Sequence, residues 1–205
     1  MENKTNTLED KATAVIIRPA RIGDLPDMAA LYSASFPEHI LVHRGLLNNP
    51  EYLEKRIASP DERWAVAESG ARIVGVAALA LCLPIGLGEI ERVCVDTQYR
   101  GKGIGSMVCR SLLESAKECG LGFVEAFARG TQPGMQRSLE KLCFKVYGVA
   151  PRFEVMHGDR VVREQFVHMG IELKPGTIDN AGTSLIPAAE KLFKLINHEH
   201  IPYGI

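Results

Sequence analysis

Short apolar or alternating runs, separated by turns rich in glycine and proline, make up most of the chain. Runs of this length that contain many β-branched residues predict strands. We expect strands at 14–18, 63–68, 72–83, 89–95, 123–128 and 144–147, with weaker patterns at 153–156 and 161–173. Strict alternation over 89–95 would place Glu89, Glu91, Val93 and Val95 on one face and Ile90, Arg92 and Cys94 on the other.

Helices are predicted where apolar residues recur every three or four positions. Asp24 is a suitable N-cap for the first of them, which Pro37 ends. The clearest helix covers residues 104–119 and ends at Gly120. Further helices are expected at 50–58, 134–142 and 183–197.

The order of these elements predicts a mixed α/β fold. Because an antiparallel meander precedes strand–helix–strand units, we expect a mixed, mostly antiparallel sheet with helices on both faces. The expected domain covers residues 13–173 and follows a disordered tail at 1–12. Residues 174–205 are expected to form a linker and an amphipathic helix that packs on the domain or on a partner, as in a homodimer.

Composition and charge narrow the classes of partner. The 205 residues carry a net charge of −1, which gives no basic surface for nucleic acid. The longest apolar run, 73–87, is too short and too interrupted to span a membrane. The five cysteines include no CxxC pair, so they predict reduced thiols in a cytoplasmic protein, without a metal site.

A glycine-rich turn between the strand at 89–95 and the helix at 104–119 is the most informative segment. It reads Gln98-Tyr99-Arg100-Gly101-Lys102-Gly103-Ile104-Gly105-Ser106. A diphosphate needs converging backbone N–H donors, and a helix N-terminus supplies unpaired ones with a favourable dipole. The three glycines permit close approach, and Arg100 and Lys102 add positive charge. The turn is therefore predicted to bind a diphosphate.

Two other phosphate-binding turns fit less well. A dinucleotide fingerprint would place glycine or alanine where Ser106 stands and would open a strand–helix–strand unit. A P-loop would require Gly-Lys followed by serine or threonine, and that sequence is absent. A tight turn that only packs against the sheet is the structural alternative.

Several segments together resemble the GNAT family of N-acetyltransferases. The turn at 98–103 matches the family's Q/R-x-x-G-x-G/A motif, and residues 17–24 resemble its opening strand and helix. Residues 140–144 are similar to its E-K-L-G-F segment, with Cys143 in place of glycine. The resemblance covers about residues 14–150.

This resemblance implies an acetyl-CoA-dependent enzyme that needs no metal. The fourth and fifth strands would splay apart to hold the pantetheine arm, and the diphosphate would lie on the amides of the turn. Acetyl would pass directly from the thioester to a primary amine of a small molecule or peptide. The expected CoA-binding residues are Val93, Cys94, Val95, Arg100, Gly101, Lys102, Gly103, Ile104, Gly105, Ser106 and Gln132.

Glu89 and Glu91 are the candidate catalytic residues. Aminolysis of a thioester needs a neutral amine, so a carboxylate on the fourth strand is expected to take the ammonium proton directly or through water. Glu89 resembles in position the general base of histone-type members, and Glu91 faces the same side. Two carboxylates on one face would raise one pKa. The alternative for either is an exposed carboxylate or an ion pair with Arg92.

The general acid is the part of the motif that this chain lacks. Many family members have a tyrosine just before the E-K-L-G-F segment, where this sequence has Leu139. Ser138, Tyr147 or water are the substitutes to consider. Glu38, His39 and His43, in the loop after the first helix, and His157 and Asp159 are open as contacts for the acceptor.

Two further interpretations stay open at this point. The loss of the tyrosine at Leu139 fits a noncatalytic module that only binds acyl-CoA, although Glu89 and Glu91 argue against it. The apolar segment 78–87 fits a transferase for a longer acyl chain.

Overall fold

The computed structural model describes residues 14–198, so the tail predicted at 1–12 lies outside the described residues. Within this range the strands are β1 Val15–Pro19, β2 Glu62–Ser69, β3 Arg72–Cys82, β4 Leu87–Val95, β5 Phe123–Arg129, β6 Lys145–His157 and β7 Arg160–Glu172. The helices are α1 Leu25–Ser35, α2 Ile40–His43, α3 Pro50–Ile57, α4 Ile104–Glu118, α5 Pro133–Glu140 and α6 Pro187–His198.

The strands of the described range form one sheet in the order β1-β2-β3-β4-β5-β7-β6. All neighbours are antiparallel except β4 and β5, which are parallel. A parallel pair needs a crossover connection, and α4 supplies it. The predicted mixed, mostly antiparallel sheet is therefore confirmed.

Two apolar cores cover the two faces of the sheet. The α4 core lies under α4 and α5 and includes Val108, Leu112 and Leu139. The α1 core lies under α1 and α3 and includes Tyr32 and Leu53. Helices pack on both faces because each amphipathic stripe must bury its apolar side against the sheet.

A β-bulge at Arg92 makes the predicted alternation of β4 wrong. The register with β3 shifts between Val76 and Ala78, and Arg92 has a positive φ of 56°. An extra residue reverses the faces of the strand beyond it. Ile90 therefore packs in the α4 core and Cys94 in the α1 core, although strict alternation would place them together.

The parallel pairing of β4 and β5 is short. It runs from Leu87 opposite Phe123 to Ile90 opposite Ala126. Beyond this point β4 continues to Val95 and β5 to Arg129 without pairing to each other. The two strands therefore diverge into a fork, as the family resemblance implies.

The two short strands predicted at 144–147 and 153–156 are one strand, β6. Gly148 and Pro151 suggested breaks, but the register shifts beside each of them keep the strand continuous. Pro151 fits because β6 is an edge strand, where a missing N–H breaks no ladder on the outer side.

The C-terminal helix α6 lies beside β6 and begins later than predicted, at Pro187. Its apolar side is partly open, since Leu192 is 46% and Leu195 55% exposed. The division of the chain at residue 173, and the packing of this helix on a partner, stay predictions.

Neither a membrane-crossing helix nor a metal cluster occurs in the described part of the chain. No helix within residues 14–198 is both long and apolar enough to cross a bilayer. In the same range no three His, Cys, Asp or Glu side chains gather as a metal site requires. The five cysteines, all of them described, are free thiols.

The Cys143→Gly variant should be more stable than the wild type. Cys143 has a φ of 67°, a left-handed conformation that explains the glycine of the family motif. Relief of a strain of about 1–2 kcal/mol, less the entropy cost of glycine of about 0.5–1 kcal/mol, should leave a gain of about 0.5–1 kcal/mol in the free energy of unfolding. Urea denaturation measures this difference.

Cys82→Gly is the matched control because Cys82 is also exposed but ends the strand β3. Glycine in a strand should lower the free energy of unfolding by about 0.5–1 kcal/mol. A lower midpoint for Cys143→Gly would show that its left-handed backbone carries no strain.

Candidate functional site

The glycine-rich turn presents a row of amides without protein acceptors. Gly101 and Gly103 have φ values of 79° and 80°, a left-handed conformation that turns successive N–H groups towards one side. The first amide of the helix to bond within the protein is that of Met107, to Gly103 O at 3.0 Å. Among residues 14–198, no acceptor is found for the amides from Gly101 to Ser106. These six donors and the positive end of α4 suit an anion.

Two cationic side chains flank the turn. Arg100 donates from Nε to Val95 O at 3.2 Å, which holds its guanidinium near the end of β4. Lys102 lies over the Tyr99 ring, with Nζ 4.7 Å from the centroid. Both side chains add positive charge beside the free amides.

The turn opens directly onto the fork between β4 and β5. Asp96 donates its amide to Val74 O at 2.9 Å, and Cys94 lies opposite Val76. Because backbone groups of an antiparallel strand point alternately to its two sides, Cys94 bonds back to β3, and the N–H and C=O of Val95 face the gap. The Cys94 side chain is buried against α1, with Sγ 3.7 Å from Leu31 O.

Gln132 stands on the opposite side of the same gap. It is the N-cap of α5 and lines the cavity together with Val93 of β4. The structure thus brings Val93 and Gln132 to one cavity, with Val95 and the turn following at the end of β4, and it places the Cys94 side chain in the α1 core instead.

Glu89 and Glu91 both line the cavity. They point to the α1 side of the sheet, whereas Val93 and Val95 pack towards the α4 core, because the bulge at Arg92 lies between the two pairs. The two carboxylates share a face as predicted, but the two valines do not share it with them.

Burial raises the pKa of both carboxyl groups above the ordinary value of 4.5. For Glu89 the Arg152 cation opposes this rise, and for Glu91 the Arg92 cation opposes it. The repulsion between the two glutamates is a smaller contribution for Glu91. Loss of hydration, rather than the pairing of like charges, is therefore the main cause of the raised pKa values.

A buried ion network fixes the bulge. Arg92 pairs with Glu91 and, through Nη1, with Glu62 Oε1 at 3.1 Å. Glu62 also pairs with Arg56 and accepts from Trp64 Nε1 at 2.8 Å. The Arg92 carbonyl accepts from Tyr32 Oη at 2.6 Å. Side chain and backbone of Arg92 are thus both held, which fixes the position of Glu91.

A second ion cluster attaches the loop after α1 to the sheet. Arg129 binds both carboxylate oxygens of Glu164 at 2.7 and 2.8 Å and one of Glu38 at 2.7 Å. His39 lines the cavity, and its Nδ1 accepts from the Leu41 amide at 3.2 Å. Burial lowers the pKa of His39 and favours the neutral ring. Glu38 is therefore a structural partner of Arg129.

The other candidates for acceptor contacts lie away from the cavity. His43 ends α2 on the surface, and His157 and Asp159 lie at the exposed β6–β7 turn. None of these three side chains lines the cavity. Residues 78–87, all of them described, do not line it either, and the choice between acetyl and a longer acyl chain stays a prediction.

The position expected to hold a proton donor is apolar and buried. Leu139 is 0% exposed and packs in the α4 core. Ser138 faces the first turn of α4, since a Cβ on Gly105 would lie 3.6 Å from Ser138 Oγ. Tyr147 packs beside Phe123 and His168 and does not line the cavity. Tyr32 does line the cavity, and its hydroxyl donates its proton to Arg92 O.

An aromatic and charged cluster covers the sheet beside Glu89. Phe127 stacks on His168, with ring centroids 4.5 Å apart, and the Arg152 guanidinium lies 3.2 Å from the Phe127 centroid. His168 Nε2 is 2.7 Å from Glu125 Oε2, and Glu125 lies opposite Glu89 in the parallel register. The cluster thus lies directly beside Glu89 on the sheet.

Sequence reasoning missed the residues that surround the two glutamates. They are Tyr32, Phe127, Arg129, Arg152 and His168, whereas the ion pair of Glu91 with Arg92 was one of the expected alternatives. Tyr32 fits the helical stripe of a core residue, and nothing in the sequence signals the bulge at Arg92. The alternation of Glu125, Phe127 and Arg129 along β5 was the one available signal, because it places three polar or aromatic side chains on one face.

Comparison with known proteins agrees with this geometry. The model of the Acetyltransferase (GNAT) family matches residues 25–143. An amino-acid acetyltransferase from Neisseria meningitidis is 31% identical over 132 residues, which cover 64% of this chain and 28% of the relative. The N-alpha-acetyltransferase RimI of Mycobacterium tuberculosis is 33% identical over 70 residues, covering 33% of this chain and 44% of the relative. The chain thus spans little more than a quarter of the Neisseria relative.

Solved structures share the fold at low sequence identity. An N-acetyltransferase from Staphylococcus aureus Mu50 superposes with a TM-score of 0.66 at 20% identity, covering 79% of this chain and all of its own. A putative acetyltransferase from Salmonella typhimurium, solved with its cofactor acetyl-CoA, gives a TM-score of 0.64 at 20% identity, covering 82% and 99%. Since the family model matches more than half of the chain and the fold agrees, the chain belongs to the GNAT acetyltransferase family.

Proposed function

We propose that the protein is an acetyl-CoA-dependent N-acetyltransferase that acts on a primary amine of a small molecule or peptide. One arrangement supports it above all: Glu89 and Glu91 line the cavity at one end of β4, and the free amides of Gly101–Ser106 follow the other end of β4, which is not paired with β5. Diphosphate, pantetheine and thioester occur in this order along acetyl-CoA. The names of the Neisseria and Mycobacterium relatives agree with acetyl transfer.

The carboxylates would prepare the acceptor for attack. An amine at neutral pH is mostly ammonium, and Glu89 or Glu91 removes one proton, which then passes to solvent. The raised pKa values make either carboxylate a better base than an ordinary glutamate. The neutral nitrogen attacks the thioester carbon, the C–N bond forms and the C–S bond breaks with its electron pair on sulfur. The second proton of the nitrogen ends on the thiolate, which gives amide and free CoA thiol.

The protein would supply little acid catalysis to this step. The position of the usual tyrosine is the buried Leu139, so the proton reaches sulfur from the attacking nitrogen or through water. Alignment of amine and thioester in the fork provides much of the rate without such an acid. A backbone N–H of the fourth strand near Val93 is the expected donor to the developing oxyanion.

A thiol-release assay tests the proposal. Acetyl-CoA and a panel of amines are mixed with the protein and a thiol reagent, and CoA affinity is measured separately by calorimetric titration. We expect micromolar CoA binding and amine-dependent release of thiol. Binding with no thiol release on any amine would indicate the noncatalytic module, and absence of binding would contradict the assignment of the turn.

A further inference from the structure

The cavity beside the candidate base is lined mostly by apolar side chains, which come from both faces of the sheet. Ile90, Ala126 and Ala128 belong to the α4 core, whereas Tyr32 and Leu47 belong to the α1 core. The lining can include both groups because β4 and β5 have parted at this level of the sheet. The cavity thus has an α4 half and an α1 half.

The acceptor amine must arrive in the α1 half. Glu89 and Glu91 line the cavity and point to the α1 side of the sheet. A carboxylate can take a proton only from a group within hydrogen-bond reach or one water away. The side chains of the α1 half therefore determine which amines fit beside the base.

Aromatic rings make up much of this half. Phe36, at the end of α1, and Leu41 of α2 line the cavity together with Phe127 of β5 and Phe166 of β7. Phe166 lies opposite Arg129 in the register of β5 and β7, so it shares a face of the sheet with Phe127. Aromatic rings pack well against another ring, and their π faces attract an ammonium group.

The cations that line the cavity already have carboxylate partners. Arg129 binds Glu164 at 2.7 and 2.8 Å and Glu38 at 2.7 Å, and Arg92 is likewise paired with two glutamates. Burial lowers the pKa of His39, so this ring is neutral near pH 7. A carboxylate on the acceptor would meet two glutamates at either guanidinium. The α1 half therefore suits a cation with an apolar body and disfavours an anion.

We propose that the acceptor is a primary amine joined by a short aliphatic link to one aromatic ring, with no carboxylate beside the amine. Its ammonium group would lie against Glu89 and Glu91, and its ring among Phe36, Phe127 and Phe166. A cavity of about 150 Å³ holds one benzene ring, so the volume of about 140 Å³ found here limits the acceptor to a single ring. This inference rests on the proposed transferase function and names the acceptor class of that same site.

The first test compares acceptors that differ by one group, on the wild-type protein at neutral pH and fixed acetyl-CoA. Thiol release is measured with 2-phenylethylamine and ethylamine, and with L-phenylalanine and L-phenylalaninol. Burial of the ring should raise kcat/KM for 2-phenylethylamine by about tenfold or more over ethylamine. The carboxylate of phenylalanine should lower kcat/KM by about tenfold or more relative to the hydroxymethyl group of phenylalaninol.

Either comparison can overturn the proposal. If ethylamine is used as well as 2-phenylethylamine, the ring has no binding site. If phenylalanine is used as well as phenylalaninol or better, the cavity accepts a carboxylate and the acceptor is an amino acid.

The second test makes the α1 half polar. Leu41→Asn keeps the size of the side chain and should lower kcat/KM for 2-phenylethylamine by about tenfold, with a change of less than about threefold for ethylamine and unchanged affinity for CoA. Leu192→Asn is the matched control, because Leu192 lies on α6 with 46% of its surface exposed. It should leave the rates with both amines unchanged. An equal loss with both amines in Leu41→Asn would assign Leu41 a purely structural role and contradict the inference.

The outcomes separate this inference from the proposed function. If thiol is released with ethylamine or phenylalanine as readily as with the aromatic amines, only the acceptor class is wrong. If no amine of either panel releases thiol although CoA binds, the transferase function fails, and the inference fails with it.

Discussion

Gly103→Asp should lower the affinity for CoA at least about a hundredfold and leave the fold intact, because a new negative charge would lie among the amides that face the diphosphate. Gly103 is the N-cap of α4, with a φ of 80°, and a Cβ there would meet no atom within 4 Å. Aspartate tolerates this backbone better than most residues. Calorimetric titration with CoA measures the affinity, and circular dichroism measures the fold.

Gly158→Asp is the matched control for this variant. Gly158 has a φ of 59° and equally open surroundings, but it lies at the β6–β7 turn. We expect the same small cost in the free energy of unfolding, about 1 kcal/mol, and unchanged CoA affinity. If Gly103→Asp also bound CoA like the wild type, the diphosphate would have to lie elsewhere.

Removal of the candidate base should produce the second large effect. Glu89→Gln or Glu91→Gln should lower kcat/KM by about a hundredfold or more for whichever residue takes the proton, and the double variant should lose at least as much. Glutamine keeps the shape of the side chain and removes only its ability to accept a proton. Steady-state kinetics with acetyl-CoA and the best amine of the panel measure this loss.

The candidate base also predicts how activity depends on pH. Burial raises the pKa of both carboxyl groups above 4.5, so the base is protonated and inactive up to a higher pH than an ordinary glutamate would be. Activity should therefore rise with pH through a limb above that value, and the limb should disappear in the variant that lacks the base. Glu114→Gln, an exposed residue of α4, is the control. Wild-type rates in both single variants and in the double variant would exclude a carboxylate mechanism.

The local parts of this site were predictable from sequence. The turn before α4 combines closely spaced glycines with the start of a strongly amphipathic helix, and both signals lie within one short segment. Glu89 and Glu91 could be placed on one face because they lie two residues apart on one strand before the bulge. The fold followed from the order of strands and helices in the same way.

The remainder depends on contacts between distant segments. Arg152 reaches Glu89 across 63 positions of the chain, through a strand that Gly148 and Pro151 appeared to interrupt. His168 meets Glu125 and Phe127 only because β7 pairs with β5, a strand more than thirty positions earlier in the sequence. No local sequence pattern predicts that pairing. The bulge at Arg92 is equally hidden, because an extra residue in a strand does not change the types of residue around it.

The extra residue at Arg92 separates two roles within one strand. Before the bulge, the side chains of Glu89 and Glu91 lie on the α1 side of the sheet, where the acceptor is proposed to bind. After it, the side chains of Val93 and Val95 pack under α4, and the main chain borders the fork between β4 and β5. Substitutions before the bulge can thus alter chemistry or selectivity without disturbing the turn that is proposed to bind CoA. Deleting Arg92 would exchange the two faces of the rest of β4, so that Val93 and Val95 would face the α1 core in which Cys94 is now buried.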